Sequence, residues 1–375
     1  MTKPAIIFVI MQTPASANGG IESITEVMRR LRRHRPVVLT NRASERSGMW
    51  QAMGIETHFI PEFVSSGWKK RPLAYLTTHL RYHRAVKRLI RETGARIVHA
   101  NDLQAFQLAL SAVKSSRGRR IAMNLRDTLD PGRKPPRRRY GAFFRASDHM
   151  FFLSQDNAAW WTRVAPEASR SFTVTYSIVD RDRFAPTPPP VSGRPVVLVS
   201  GVFRPKKGQL DFLRHAAPVL VAGGAEIWLA GDFDPASDPY SAACAEAAEP
   251  LGDAVRFLGY RTDLPDLIAK ATAIAVPSRY EGLVRVMIEA LSCGRPVVSF
   301  DVSSAREILE DKAKGAGVVV ELGDFAGLAH AALAYCRDPA AAAQAGRIGA
   351  EAARTLFDAE RVAERYENAY CALVA

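Results

Sequence analysis

Two glutamates eight residues apart are the sharpest chemical feature of this chain. The segment Pro277-Ser278-Arg279-Tyr280-Glu281-Gly282-Leu283-Val284-Arg285-Val286-Met287-Ile288-Glu289-Ala290 reads as a strand end, a short Glu-Gly loop and a helix beginning at about Leu283–Val284. Amides at a helix start carry partial positive charge, which suits a phosphate group. Glu281 precedes that helix and Glu289 lies within it, about 12 Å further on at helical rise. Carboxylates so placed are able to hold hydroxyls at the two ends of an extended nucleotide sugar, with its diphosphate between them. Taken singly, each reads more readily as a solvated charge, Glu281 at the helix start and Glu289 on the surface, than as a functional group.

The elements that must position this segment are legible around it. Short apolar runs alternate with longer stretches of helical spacing. The first set of expected strands is Ile6–Met11, Val37–Thr40, Ile97–Ala100, Ile121–Leu125, Met150–Leu153 and Phe172–Tyr176. The second is Val196–Ser200, Glu226–Ala230, Val255–Leu258, Ala273–Pro277, Pro296–Phe300 and Gly317–Val320. Runs rich in Val, Ile and Phe without alternation belong to parallel sheets covered on both faces. Expected helices include Ile24–Arg33, Leu73–Glu92, Gln209–Val221 and Val284–Cys293, and the alanine-rich tail from Ala340 is helical in character. The reading is α/β, doubly wound, in two similar domains with ligands at the carboxyl ends of the strands.

The residues between the two sets, Phe184-Ala185-Pro186-Thr187-Pro188-Pro189-Pro190-Val191-Ser192-Gly193, continue neither a helix nor a central strand. The expected division is therefore residues 1–185, a proline-rich linker 186–193, and residues 194–356. A C-terminal helix of about 357–375 is expected to pack back on the first domain.

Several motifs lie in order along the chain. They are Gly19-Gly20-Ile21-Glu22, Val98-His99-Ala100-Asn101-Asp102, Asp180-x-x-x-Phe184, Gly201-Val202-Phe203-Arg204-Pro205-Lys206-Lys207-Gly208, Val255-Arg256-Phe257-Leu258-Gly259-Tyr260, and Glu281-x7-Glu289 with Gly294 and Pro296-Val297-Val298. Each is weak alone, but their order and spacing resemble the retaining GT-B glycosyltransferases, in particular family 4 (glycosyl transferases group 1). The resemblance implies two Rossmann-like domains facing each other across a cleft. It implies transfer of a sugar from a nucleotide-diphosphate sugar, UDP- or GDP-linked, to a hydroxyl of a glycan or lipid-linked acceptor. The setting it implies is bacterial cell-surface polysaccharide, lipopolysaccharide or glycolipid synthesis.

Roles follow from the resemblance residue by residue. Lys207 binds the donor diphosphate, Glu289 the ribose hydroxyls, and Glu281 the donor sugar near its anomeric centre. The backbone of Gly282, Leu283 and Val284 meets phosphate oxygens, and Gly19 and Gly20 let the first loop come close to the diphosphate. Asp102, Arg126 and Asp127 fall on the acceptor side. Departures matter too. The family's arginine in "G-R-L" is Val202 here, which leaves Arg204 or Arg285 to supply a second cation. A frequent histidine is replaced by Arg126, and the second glycine of "G-D-G" is Phe233.

The helix start and Lys207 are expected to stabilise the departing diphosphate without a divalent metal, and no cofactor is expected. With no carboxylate placed as a nucleophile on the far face of the sugar, the resemblance favours front-face substitution with retention. The alternatives are a nucleotide-sugar epimerase of the same fold, or a relative that binds nucleotide sugars without catalysis.

Composition narrows the setting. At 375 residues the chain is too long for one small core, and 47% hydrophobic residues make it too apolar for a disordered one. No apolar run reaches the length of a membrane-spanning helix. Four cysteines far apart, with no C-x-x-C pair, fit a reducing compartment and argue against a zinc site. Ala5–Met11 reads as a buried first strand rather than a secretory signal.

The net charge of +13 is uneven. Residues 1–190 carry 32 Lys+Arg against 14 Asp+Glu, and the remainder 19 against 24, so the basicity belongs to the first half. Its main runs are Arg29–Arg35, Lys69–Arg71, Arg117–Arg120 and Arg133–Arg139. The last leads into Tyr140-Gly141-Ala142-Phe143-Phe144 and suggests docking on an anionic membrane leaflet. The expectation is a cytoplasmic protein docked peripherally at the inner face of the plasma membrane. No nucleic-acid-binding module is present, so no specific nucleic acid is expected.

Overall fold

The computed structural model describes residues 3–12, 19–60, 72–126, 128, 135–190 and 193–375. They fall into two compact units, one running to Ile178 and taking in Ala359–Ala375, the other spanning Val179–Asp358.

The first unit is built on seven strands: β1 (Ala5–Ile10), β2 (Arg35–Thr40), β3 (Glu56–Phe59), β4 (Ile97–Ala100), β5 (Arg120–Leu125), β6 (His149–Phe152) and β7 (Phe172–Val174). They lie in the order β3-β2-β1-β4-β5-β6-β7, every pair parallel, with β1 flanked by Arg35 opposite Ala5 and Ile97 opposite Ile6. β1, β4 and β6 are buried throughout, which is why they read as unbroken apolar runs. β3 was not expected from sequence. Glu56-Thr57-His58-Phe59 has no apolar run because it is an edge strand, half exposed and paired only to β2.

One face of this sheet is closed by the last helix of the chain, Ala359–Val374. Val362, Tyr366, Ala369 and Tyr370 join Phe8, Ile10, Ile21, Ile24, Val27 and Trp50 in a single buried cluster. Polar contacts fix the same docking: Arg32 reaches Glu360 at 2.7 Å, and the Arg33 amide donates to Glu367 Oε1 at 2.7 Å. Arg29 and Arg30 pair with Glu26, and Arg35 with Glu56. The basic run Arg29–Arg35 is thus largely committed to pairs within the unit.

The second unit holds β8 (Val196–Ser200), β9 (Glu226–Ala230), β10 (Val255–Gly259), β11 (Ala273–Val276), β12 (Val297–Phe300) and β13 (Gly317–Val320). Their order is β10-β9-β8-β11-β12-β13, again all parallel. Both units are Rossmann-like, and in each the strand order reverses beside the first strand: between β1 and β4, and between β8 and β11. Such reversal points open a crevice at the carboxyl ends of the strands.

The chain enters the second unit ahead of its proline cluster. Asp180 Oδ1 accepts from the amides of Asp182 and Arg183, and Arg183 donates to the Thr262 carbonyl at 2.5 Å. Arg295, 1% exposed, then holds the prolines down, donating to the carbonyls of Thr187 at 2.9 Å and Pro188 at 2.7 Å. The expected helix Gln209–Val221 is two helices, Gln209–His215 and Ala217–Ala222. Pro218 has no amide hydrogen to offer the Arg214 carbonyl, so the first helix cannot run on. The tail likewise divides into Pro339–Leu356 and Ala359–Val374. Among the described residues no helix is long and apolar enough to cross a membrane.

Candidate active site

At the reversal point of the second unit, the loop after β8 carries Lys207 and the loop after β11 carries Glu281. Lys207 Nζ lies 2.6 Å from Glu281 Oε1, and Lys206 Nζ lies 3.6 Å from Oε2. The Lys206 ammonium also sits 5.0 Å from the centroid of the Tyr280 ring. Backbone contact joins the same two loops, the Arg279 amide donating to the Lys206 carbonyl at 2.8 Å.

Local sequence explains this junction. Pro205–Lys207 form one turn of 3-10 helix, and Gly208 follows with φ of +73°, the left-handed region. A Cβ on Gly208 would stand 2.0 Å from the Pro277 carbonyl oxygen. Only glycine meets both demands, so the Lys-Gly pair is a steric requirement for bringing the loops together. Gln209, 1% exposed, anchors the start of its loop by donating to the Val202 carbonyl at 2.9 Å and the Gly201 carbonyl at 3.3 Å.

Glu281 and Glu289 are 6% and 5% exposed, so neither is the solvated surface charge that sequence alone allowed. Glu289 accepts from Arg285 Nε at 2.7 Å across one helical turn. That helix runs Arg285–Ser292 with Val284 as its N-cap. It starts later than the expected Leu283–Val284, and Val284 itself is extended (φ −75°, ψ 97°). The 12 Å helical estimate for the glutamate separation therefore does not apply, because half of the interval is loop. Leu283 and Val284 turn buried side chains inward. Gly282 is held by Ser303, whose hydroxyl donates to its carbonyl at 2.8 Å.

Ser303 escaped the sequence reading. It follows β12 and is the one non-glycine among the described residues with positive φ, +42°. Backbone strain of this kind gathers at ligand-bearing loops. A serine pair after a strand carries no sequence signal for it, and neither does Gln209.

Of the two cations that sequence offered beside Lys207, Arg285 lies in the site and Arg204 does not. Lys206, and not Arg204, stands beside Glu281; Arg285 is on Glu289. Arg204 is exposed, and its charge acts on Asp238, which the Ser241 hydroxyl and amide chiefly hold below the usual carboxylate range. Phe233, in place of a second glycine, stacks on Phe257 with centroids 4.1 Å apart and planes at 10°, and Phe203 lies against it at 5.0 Å. The loop ends of β8, β9 and β10 therefore share an aromatic cluster.

In the first unit the corresponding reversal point lies between β1 and β4. Gln12, after β1, is clamped by Asn41, its amide donating to Asn41 Oδ1 at 2.7 Å while Asn41 Nδ2 donates back at 2.9 Å. Gly19 and Gly20 open the helix Gly19–Arg30 and so belong to a helix N-terminus, not to a free loop. After β4, Asn101 Oδ1 accepts from Arg126 Nη2 at 3.0 Å, Arg126 Nε at 3.2 Å and Asn124 Nδ2 at 3.2 Å. Asp102 is the N-cap of the helix Leu103–Lys114, accepting from the Ala105 amide at 2.7 Å. Burial pushes its pKa up, against the Ala105 and Gln104 amides and Arg126. Asp127 lies outside the described residues.

Beneath this edge, His99 is fully buried and meets the Tyr370 hydroxyl at 3.0 Å; burial keeps it neutral. Tyr366 donates to Asn124 Oδ1 at 2.9 Å. The last helix thus supports the first unit's strand ends from below.

The segment 194–338 matches the family described as glycosyl transferases group 1. This segment is a group 1 glycosyltransferase domain. It contains Lys207, Glu281, Arg285 and Glu289. Among curated relatives, the chain is 25% identical over 170 residues to N-acetyl-alpha-D-glucosaminyl L-malate synthase of Bacillus anthracis, covering 45% of this chain and 43% of that protein. It is 27% identical over 124 residues to the lipopolysaccharide core biosynthesis mannosyltransferase LpsB of Rhizobium meliloti, covering 33% and 35%. The chain therefore spans less than half the length of these relatives. The whole chain matches the crystal structure of Anabaena HepE in complex with UDP and glucose, with a TM-score of 0.79, 19% identity and coverage of 98% and 99%. That likeness extends over both units and gives the fold as GT-B. Around the group 1 domain, the first unit supplies the second Rossmann-like half of this fold.

Proposed function

We propose that this protein is a retaining, metal-independent glycosyltransferase that moves a sugar from a UDP- or GDP-sugar to a hydroxyl of a glycan or lipid-linked acceptor in cell-surface polysaccharide or lipopolysaccharide synthesis. The observation that carries the reading is the Lys207–Glu281 pair at the β8/β11 reversal point. An ammonium has three donors, so Lys207 is able to hold Glu281 and a phosphate oxygen together. Glu281, oriented by two lysines, faces donor hydroxyls near the anomeric carbon, while Glu289, braced by Arg285, takes the ribose hydroxyls.

As the bond to the donor oxygen breaks, charge develops on the diphosphate. Lys207, Lys206 and the start of the helix Arg285–Ser292 stabilise it in place, which lowers the barrier without reorganisation during the step. The departing phosphate oxygen accepts the proton of the acceptor hydroxyl as that hydroxyl attacks from the same face, so the anomeric configuration is kept. The relatives in lipopolysaccharide core synthesis and the UDP-bound neighbour support the choice of donor and acceptor class.

The test is to incubate the protein with UDP- and GDP-hexoses and lipopolysaccharide-type or lipid-linked acceptors, with and without EDTA. The anomeric configuration of the product is then read by NMR. Transfer with retention, unaffected by EDTA, is the expected result. Inversion, or loss of activity with EDTA, would contradict the mechanism. Conversion of the donor sugar without any acceptor would make the protein an epimerase.

A further inference from the structure

The helix Pro72–Thr93 buries Thr78, Tyr82, Val86, Leu89 and Ile90 and packs on the helix Leu103–Lys114 and on β1. On its other side Leu73, Leu76 and Leu80 are 78%, 48% and 44% exposed. At 3.6 residues per turn these three, with Arg84 and Arg91, fall within about 80° of arc, in one line about 27 Å long. The first half of that line is leucine and the second half cationic. The helix carries five Lys and Arg against a single acid, Glu92, which faces Arg88 at 3.8 Å. Scattered exposed leucines need no explanation, but an aligned row continued by arginines does.

The basic stretch that sequence favoured for docking is engaged elsewhere through Arg137, Tyr140 and Phe144, while Arg138 and Arg139 are exposed. Tyr140 and Phe144 pack on Trp161 with ring centroids 5.1 and 5.5 Å away, and Phe144 is 1% exposed. Arg137 donates to the Val164 and Arg163 carbonyls, each at 3.0 Å. Arg133, Lys134 and Lys69–Arg71 lie outside the described residues.

We infer that the exposed face of the helix Pro72–Thr93 docks the protein on an anionic lipid bilayer. Leucines enter the boundary between headgroups and acyl chains, and Arg84, Arg88 and Arg91 meet headgroup phosphates. The charge pattern selects this occupant: a polyanion such as nucleic acid would satisfy the arginines and leave the leucines in water, whereas a bilayer interface satisfies both. The helix's Tyr82 hydroxyl meets the Met11 sulfur at 3.5 Å, just past the carboxyl end of β1. The helix therefore lies by the carboxyl edge of the first sheet, the edge that carries Asn101 and Arg126. Docking there brings that edge close to lipid-borne hydroxyls. The inference is independent of the donor chemistry proposed above.

The test is flotation of the full chain with vesicles of phosphatidylcholine alone or mixed with phosphatidylglycerol. The parent should float with the anionic vesicles at least about tenfold more than with the neutral ones. Leu73→Ser/Leu76→Ser/Leu80→Ser should lose about tenfold of that binding, and Arg84→Gln/Arg88→Gln/Arg91→Gln should lose the preference for anionic lipid. All these positions are exposed, and an unchanged melting temperature shows that the variants fold. Three results would overturn the inference: no binding of the parent to anionic vesicles, parent-like binding by the leucine variant, or a leucine variant that turns a dimer into a monomer without changing lipid binding. The last would make a second copy of the chain the occupant.

Discussion

Lys207 and Glu281 leave neighbouring parallel strands, β8 and β11, and meet at 2.6 Å where the strand order of the second unit reverses. Lys206 approaches the other carboxylate oxygen, so a buried acid is held between two cations. Glu289, also buried, has its own cation in Arg285. Each carboxylate is thereby kept oriented in a place where an unpaired charge would be costly.

Lys207→Ala removes the nearer cation and leaves Glu281 with Lys206. Transfer should fall by about 100-fold or more, as for loss of one donor to developing charge. The stability cost should stay near 1 kcal/mol, because the lysine is partly exposed and its pair partly screened. Steady-state kinetics and thermal melting of the variant check both numbers.

Glu289→Ala should weaken binding of the nucleoside diphosphate by about tenfold, the worth of one or two lost hydrogen bonds. Arg285→Ala should weaken it less, since it removes only the brace. Isothermal titration with UDP and GDP distinguishes the two; equal effects would mean that Arg285 itself touches the ligand.

Gly208→Ala combines a strained left-handed φ with a clash against the Pro277 carbonyl. It should cost about 2–4 kcal/mol and separate the two loops. Chemical denaturation measures the loss. Gly54→Ala, at φ +74° after the helix Glu45–Ala52 with nothing near its Cβ, is the control and should cost only about 1 kcal/mol.

Ser303 separates strain from tether. Ser303→Gly relieves the backbone and should stabilise the fold by up to about 1 kcal/mol. It also releases the Gly282 carbonyl, and the donor KM should rise several-fold with kcat changed less. Ser303→Thr, which keeps the hydroxyl, should retain more of the donor affinity. A donor KM unchanged in Ser303→Gly would reduce Ser303 to a turn residue.

Two neutral histidines in the first unit make its stability depend on pH. Burial lowers His149 to about 4, while its ring bonds Ser171 and Thr173 at 2.8 and 2.9 Å, and His99 is shifted the same way. Between that value and the ordinary 6.5 the unfolded chain binds more protons than the folded one. The stabilising contribution is therefore complete above about pH 6.5 and is lost as pH falls towards 4, by up to ~3 kcal/mol for His149. His149→Gln should flatten the melting profile across that window.

Much of this arrangement could be read from the chain. Twelve of the strands show as apolar runs, the inner ones because parallel strands buried on both faces leave such runs. The edge strands β7, β10 and β13 show because they still carry Phe172, Phe257 and the valines 318, 319 and 320. The Glu281-x7-Glu289 spacing marked the loop after β11. β3 was missed because Glu56-Thr57-His58-Phe59, an edge strand, carries one apolar residue in four. The pairing of Lys206 with Glu281 and the tether from Ser303 were missed because they depend on how loops from different strands meet, which adjacent sequence does not encode. The commitment of Tyr140 and Phe144 to Trp161 was hidden for the same reason. An aromatic beside arginines looks alike in sequence whether it faces solvent or core.

The most direct test of the central claim is a thermal-shift titration with UDP, GDP, ADP and CMP on the parent, Lys207→Ala and Glu289→Ala. A diphosphate at 100 times its dissociation constant should stabilise the parent by about 2.7 kcal/mol. The account predicts that UDP or GDP produces this shift and that both substitutions abolish or sharply reduce it. A parent that responds to none of the nucleotides, or variants that respond as the parent does, would contradict the assignment of Lys207, Glu281 and Glu289 to a nucleotide-sugar site.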